Sequence, residues 1–520
     1  MIQRLYLRDL PAGKQARVSV YASQVVEADK SPSPSASRYL PIVTLLLFVI
    51  ALVVTTVRGI ESAASPFIYP HAFVSADVAT AARTFATKGV FHLHGVPVNN
   101  NPPLGANDFY THWPPLLPIL LSIFFRFFGS TEQVSHLFML GVLVATALLV
   151  LRLGQLWLGT VGGALAGYFW LTLPVVVQFG HLVDQQALGM LFFVAALVCF
   201  YSNRLRLGAT ILFFGVLSSW EIVLVVIGLW IATIWVRDLR FAATWATLGA
   251  SMGVISIAVL FLLVSPGAAI DTLQAAKFYM GLSTVHSRIS PNSQQISIAF
   301  TEQIHRMLLN NVWMIGPLGL AAIFQLFSSR TRKSALLLAA LSAPWLIWCF
   351  AMPNHMARHE FEFVIAAPLA ALALAWSATV CLRTTQSRTA AIKVGAFVAL
   401  AAIQLVLLPT PHISDGYSPE ELVQYSLAIR ASTEPGSIVM APLVSAVPLY
   451  YSQRHIIREI DNGPSAVSEF HLIHRDFPNR PVYLAFPPFL APNFEPKPPG
   501  TLTVASTPNA IILQFLDTKD

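Results

Sequence analysis

Tyr39-Leu-Pro-Ile-Val-Thr-Leu-Leu-Leu-Phe-Val-Ile-Ala-Leu-Val-Val-Thr-Thr-Val57 runs nineteen residues without a charged side chain. As a helix it would reach roughly 28 Å, about the thickness of a bilayer's hydrocarbon core. It lies too far from Met1, and is too long, for the apolar region of a signal peptide, so it is expected to remain as an anchor. The stretch is not alone. About a dozen apolar segments of roughly 14 to 24 residues follow along the 520 residues, separated by short breaks that contain arginine. Hydrophobic residues make up 55% of the chain and charged residues 11%, which excludes an ordinary soluble domain. Cys199, Cys349 and Cys381 all fall inside apolar segments, so neither a disulfide framework nor paired zinc spacing is present.

The placement of charge gives the topology. Asn203-Arg-Leu-Arg206, Arg237-Asp-Leu-Arg240, Ser329-Arg-Thr-Arg-Lys333 and the segment from Arg383 to Lys393 are short basic connections, and short basic connections stay on the cytosolic side. By parity the excursion at 58–112, the loop near Asp184, the 265–306 loop, the 352–360 turn and the tail lie on the opposite face. The net charge of +7 has the same origin. Of 32 basic and 25 acidic residues, 7 and 11 lie in the tail from Pro409, which leaves 25 and 14 for the rest. The basic excess belongs to the membrane part and points to no nucleic-acid partner.

The expected architecture is an all-α polytopic membrane domain of about 11 to 13 transmembrane helices with a small C-terminal α/β external domain. A cytosolic tail covers 1–38, the membrane domain 39–408 with its external loop 58–112, and the external domain 409–520. Pro114 to Phe128 is read as a helix lying against the external face, because a crossing there would break parity. Ser418-Pro-Glu-Glu421 reads as a capping box opening a helix to about Ala431. Strand-like runs occupy Ser437–Ala441, His455–Ile457, Pro481–Phe486 and Ala510–Phe515, with a helix near Pro464–Arg475.

Polar residues able to do chemistry collect in the external loops. The first holds Asp77, Arg83, Tyr110, His112 and Trp113, the second His181 and Asp184, the third Lys277, Tyr279, His286 and Arg288, and the fourth His355, Arg358, His359 and Glu360. Such a set can build a polar cavity with carboxylates as general base and Arg or Lys for an anion. Each member also has a structural reading: Asp77 as a helix N-terminal carboxylate, Asp184 as a helix cap, Glu221 as a turn residue. Ionisable residues at the edge of a membrane segment are costly there and more often functional. His92 and His94 alternate as in a short strand, but are read as exposed loop histidines. His355 and His359, at i and i+4 beside Glu360, have the spacing of a metal pair, but the HExxH order is absent and no third ligand follows, so no metal site is assigned.

The order of motifs resembles the GT-C class of integral membrane glycosyltransferases over about residues 40–380, nearest the branch of protein O-mannosyltransferases and lipid A aminoarabinose transferases. The residues that carry it are Asp77 opening a helix, Tyr110-Thr-His-Trp-Pro-Pro-Leu116, Gly129-Ser-Thr-Glu132, Asp184, and Arg358-His-Glu-Phe-Glu-Phe-Val-Ile-Ala-Ala-Pro368. The tail with Tyr450-Tyr-Ser-Gln-Arg454 is similar to external domains of some bacterial members. The resemblance implies sugar transfer from a polyprenyl-phosphate donor at the external face of a bacterial inner membrane, with the N-terminus cytosolic. It implies Asp77 as the catalytic carboxylate and Asp184 as the second acid. Arg358 and Arg288, joined by Lys277, would bind the donor phosphate, and Tyr110, His112, Trp113, Glu221 and His359 would line the cavity. The resemblance implies no certain cofactor: some members of the wider class need a divalent cation, so one is open here, but the nearest branch does not and none is expected. The chain departs from the pattern in having a lone Asp77 where members often carry an acidic pair, and Trp220-Glu221 where many carry a lysine. A membrane transporter and a non-catalytic membrane scaffold remain as alternative functions.

Overall fold

The computed structural model describes residues 36–67, 71–100, 108–264, 267–280, 332–352, 355, 359–383, 419–443, 445–458, 460 and 462–516. The apolar segments expected at Met307–Phe327 and Val394–Leu408, Arg288, Arg358, the Ser418 cap and most of the N-terminal tail lie outside these residues.

The membrane domain begins with α1 (Ala36–Ser62), which includes the Tyr39–Val57 anchor. Among the described residues four helices are long and apolar enough to cross a membrane, within Tyr39–Ser62, Glu132–Thr172, Arg237–Val264 and Phe361–Val380. Shorter apolar helices pack among them, and together they make an integral membrane protein. The long helix α4 (Glu132–Thr172) breaks at Gly159, whose φ of 78° suits a glycine. Its halves fold back on each other there, since a Cβ on Gly154 would stand 2.9 Å from the Cα of Gly163. The apolar segments Leu137–Leu156 and Val161–Phe179 are thus joined with almost no loop between them. Thr131 caps the start of α4 through Val134 N.

The helices then run α5 (Pro174–Phe179), α6 (Gln185–Tyr201), α7 (Leu205–Ser218), α8 (Leu224–Ala232) and α9 (Arg240–Val264). Lipid tails are as apolar as leucine, so helix association in a bilayer depends on close packing rather than on hydrophobic burial. The sequence Gly249-Ala-Ser-Met-Gly253 supplies that packing between α9 and α7: a Cβ on Gly249 would meet the carbonyl oxygen of Ala209 at 2.2 Å. The outward face of α9 carries Leu248, Met252, Ile255, Val259 and Leu262 at helical spacing, all exposed and suited to lipid.

After α1, α2 (Ala72–Lys88) carries Asp77 in its second turn and packs on α3 (Leu116–Phe128). At 13 residues α3 spans about 20 Å, short of the hydrocarbon core. His92 and His94 lie exposed in a turn, as read from the sequence; His94 has φ 52°, outside the extended region. Further on come α10 (Ala268–Tyr279), α11 (Arg332–Ala351) and α12 (Ala367–Arg383), with a 3-10 turn at Glu360–Ala366 leading into α12.

The C-terminal unit is a five-stranded sheet with helices α13 (Pro419–Ser432), α14 (Val447–Ser452) and α15 (Gly463–Asp476). The strands β1 (Ile438–Met440), β2 (His455–Ile457), β3 (Val482–Phe486), β4 (Thr501–Ser506) and β5 (Ile511–Phe515) stand in the order β2-β1-β3-β5-β4. The first three pair in parallel, while β5 pairs antiparallel with both β3 and β4. Because side chains alternate along β3, Val482, Leu484 and Phe486 join a core with Phe470 and Ile473 of α15. Tyr483 and Ala485 join the core that continues through α14 into the membrane domain.

Replacing Gly249 by alanine should push α9 off α7 and cost about 1–3 kcal/mol. The melting temperature of the detergent-purified protein should fall accordingly, whereas Gly141→Ala, a position with open space around it, should leave it unchanged or raise it.

Candidate active site

Asp77 stands where three parts of the chain meet. Ser75, two residues earlier on α2, accepts a hydrogen bond from Val183 N at 3.2 Å, which ties α2 to the segment before α6. On its other side the C-terminal unit docks. The α14 helix presents the carbonyl of Tyr450 to Arg83 Nη1 at 2.8 Å, and the same guanidinium lies 4.0 Å from the centre of the Tyr450 ring. Tyr451 accepts from Phe67 N at 2.9 Å, and the Tyr450 hydroxyl donates to Ser130 O at 3.1 Å. Asn100 completes the seam: it donates to Asp108 and accepts from Ile456 N of β2 at 3.1 Å.

This docking brings Arg458, just past β2, to Asp77 and Tyr110. Asp77 Oδ1 is shut off from solvent and has no hydrogen-bond partner. Burial pushes the Asp77 carboxyl up from 3.8 to about 6, against the pull of the Arg458 charge. Burial also holds the Tyr110 hydroxyl well above its usual range, reinforced by the neighbouring Tyr279 and Asp77. The result is a carboxylate that is ionised at neutral pH yet basic enough to take a proton, with a cation and two phenols around it.

A second group of polar residues adjoins the first. Asp184 caps α6, accepting from Gln186 N at 3.2 Å. Its carboxyl is held well above the usual range, first by burial and then by the carboxyls of Glu362 and Glu221. Gln186 Nε2 donates to Glu221 at 3.4 Å and to Glu362 at 3.1 Å, Ser219 donates to Glu221, and His355 meets Glu362. Rings connect the two groups: Tyr279 lies 4.3 Å and Trp113 lies 5.6 Å from His355, and His355 lies 4.6 Å from His359.

The residues singled out from the sequence therefore fall as follows. Asp77 and Tyr110 sit in the first group, Asp184 and Glu221 in the second, and Trp113 and His359 in the ring layer between. His112 gives its carbonyl to the Trp220 indole at 2.8 Å, fastening the first loop to the 220 turn. Lys277 is exposed on the last turn of α10.

No model of a known protein family matches the sequence, and no curated protein resembles it significantly. Solved structures do match. ArnT from Cupriavidus metallidurans bound to undecaprenyl phosphate superposes with a TM-score of 0.57 at 13% identity, over 91% of this chain and 98% of that one. Its apo state gives 0.55 at 12% identity, over 90% and 97%. The fold is GT-C. The archaeal oligosaccharyltransferase AglB from Archaeoglobus fulgidus, in complex with an inhibitory peptide and a dolichol-phosphate, shares it with a TM-score of 0.54 at 13% identity, over 85% and 69%. The GT-C likeness covers the C-terminal unit as well as the helices, since nearly the whole length of ArnT is matched.

Several residues at this site have little mark in the sequence. Glu362 sits two residues into an apolar run, and a carboxylate so placed is a signal in its own right. Gln186, two residues past the Asp184 cap, is an uncharged polar residue opening an apolar helix. Arg458 belongs to the tail, and only the folded seam connects it with α2.

The raised pKa of Asp77 has a consequence for stability. The folded state holds the proton up to about pH 6 and the unfolded chain loses it near 3.8, so stability declines as pH rises between those values and stays reduced above them. Allowing for water near this partly exposed residue, the loss is on the order of 2 kcal/mol. Asp77→Asn should therefore melt higher than wild type at pH 7.5, and the gap should close toward pH 4 in thermal unfolding.

Proposed function

We propose that the protein transfers a sugar from a polyprenyl-phosphate donor to a hydroxyl acceptor at the external face of the membrane. The observation that carries this reading is the meeting of Asp77, whose Oδ1 is shut off from solvent and partnerless, with Arg458 and Tyr110 at the edge of a GT-C helix bundle. Such a donor is an anionic headgroup on a long apolar tail. It calls for an arginine near the membrane surface and an apolar wall beside it. The undecaprenyl phosphate bound by ArnT and the dolichol-phosphate bound by AglB support a lipid carrier of this class.

In the proposed step Asp77 takes the proton of the acceptor hydroxyl as its oxygen attacks the anomeric carbon. The bond from that carbon to the phosphate oxygen breaks, and the electron pair leaves with the polyprenyl phosphate. Arg458 stabilises the charge that develops on the phosphate. Arg288 and Arg358, outside the described residues, are further candidates for that contact, and Lys277 for a peripheral one. Asp184 positions the start of α6, and Tyr110, His112, Trp113, Glu221 and His359 shape the cavity. A single displacement inverts the anomeric configuration. The unit from 409 to 520 acts as part of the transferase, in the bacterial inner membrane with its N-terminus cytosolic.

Transfer from radiolabelled polyprenyl-phosphate sugars in reconstituted membranes tests this. Asp77→Asn should lower kcat by about a hundredfold or more, and Arg458→Ala should lower kcat/KM. For the wild type kcat/KM should rise with pH as Asp77 loses its proton near 6 and level off above; the Asp77→Asn variant should lack that limb. Wild-type rates in both variants would leave the non-catalytic reading standing.

The orientation has its own test. Phe91 in the first loop is 96% exposed, so a Phe91→Cys variant lacking the three native cysteines should react with a membrane-impermeant maleimide added to spheroplasts. Protection until the membrane is permeabilised would reverse the topology.

A further inference from the structure

Glu221, His355 and Glu362 come from three separate places in the chain: the turn before α8, the 352–360 connection and the first turn leading into α12. Each can offer one ligand atom, and these atoms all lie within 4.8 Å of one another. The residues are 1%, 2% and 3% exposed. Asp184, another 3% exposed carboxylate, acts on the same group. No lysine or arginine among the described residues forms a salt bridge with any of these carboxylates. A dry cluster of acids with one imidazole needs positive charge or bound protons to be tolerated.

A second observation is independent of that count. Gln186 is fully buried, and its amide nitrogen faces both glutamates, while the oxygen on the same amide has no partner. Glu362 Oε2 is also buried and partnerless. The orientation of an amide is an assignment by hydrogen-bond pattern. Turned over, Gln186 would present its oxygen to the cluster as a fourth ligand atom. We propose that Glu221, His355 and Glu362 bind a divalent transition-metal ion, with Gln186 as the fourth ligand.

The ligand chemistry selects the ion. An imidazole nitrogen with carboxylate and amide oxygens suits zinc and its first-row neighbours, whereas magnesium and calcium prefer all-oxygen shells. The ion would cross-link the 220 turn, the approach to α12 and the start of α6, and so hold in place the helix that Asp184 caps. This is a binding property of the folded chain and does not depend on any sugar donor.

The test uses the full-length protein in lipid nanodiscs, stripped with chelator, exposed to zinc, desalted and assayed by elemental mass spectrometry. One zinc per chain is expected, with binding at least tenfold weaker in Glu362→Gln and in His355→Gln. Chelation should lower the melting temperature of the wild type; zinc but not magnesium should restore it. Asp77→Asn should bind zinc like the wild type, so a failure of the transfer reading and a failure of the metal site are told apart. Should a cluster variant not fold, cobalt(II) on the wild type gives the answer through the visible bands of a nitrogen- and oxygen-ligated ion. A wild type that retains no zinc, cluster variants that retain it equally, or cobalt without such bands would overturn the site.

Discussion

The contact of Arg83 with Tyr450 is what the joining of helix bundle and sheet hangs from. A guanidinium 8% exposed needs partners, and this one finds a main-chain carbonyl and an aromatic face on the same residue. The six-residue α14 is too short to hold itself in place. Pinned to α2 by Arg83, to Phe67 by Tyr451 and to Ser130 by Tyr450, it becomes the hinge pin between a membrane bundle and a soluble sheet. From there β2 runs directly to Arg458. The seam is polar at its edges and aromatic at its centre, where the Phe67, Tyr450 and Tyr451 rings meet edge to face.

Much of this was readable in the sequence because the bilayer imposes a coarse rule. Apolar runs must be about one helix long, and charge must go to the ends, so the anchor at Tyr39–Val57 and the two halves of α4 announce themselves. The sheet was legible where strands are buried: β1, β2, β3 and β5 are short apolar runs. It was not legible at β4, where Leu502 and Val504 are exposed on an edge strand and no buried face sets a pattern.

The candidate site divides in the same way. Asp77, Asp184 and Glu221 were visible as rare acids beside apolar helices, and Tyr110 to Trp113 as a polar aromatic stretch before Pro-Pro. What sequence order could not supply was their neighbours. Arg458 reaches Asp77 only through the α14 seam, and Glu362 joins Glu221 only because the turn before α8 and the start of α12 pack against α6. Local spacing paired His355 with His359, and their rings do lie 4.6 Å apart, but the carboxylates gathered around His355, Glu221 and Glu362, lie outside that i, i+4 pair.

The seam also sets a schedule for synthesis. In a chain made from its N-terminus, α2 with Asp77 is complete long before α14 and β2 leave the ribosome. Until α14 and β2 have been made and folded, Arg83 has no Tyr450 to hold and Asp77 has no Arg458 facing it. The carboxylate and its counter-charge are thus separated in time as well as in sequence. Docking of the sheet unit through α14 is what brings them together.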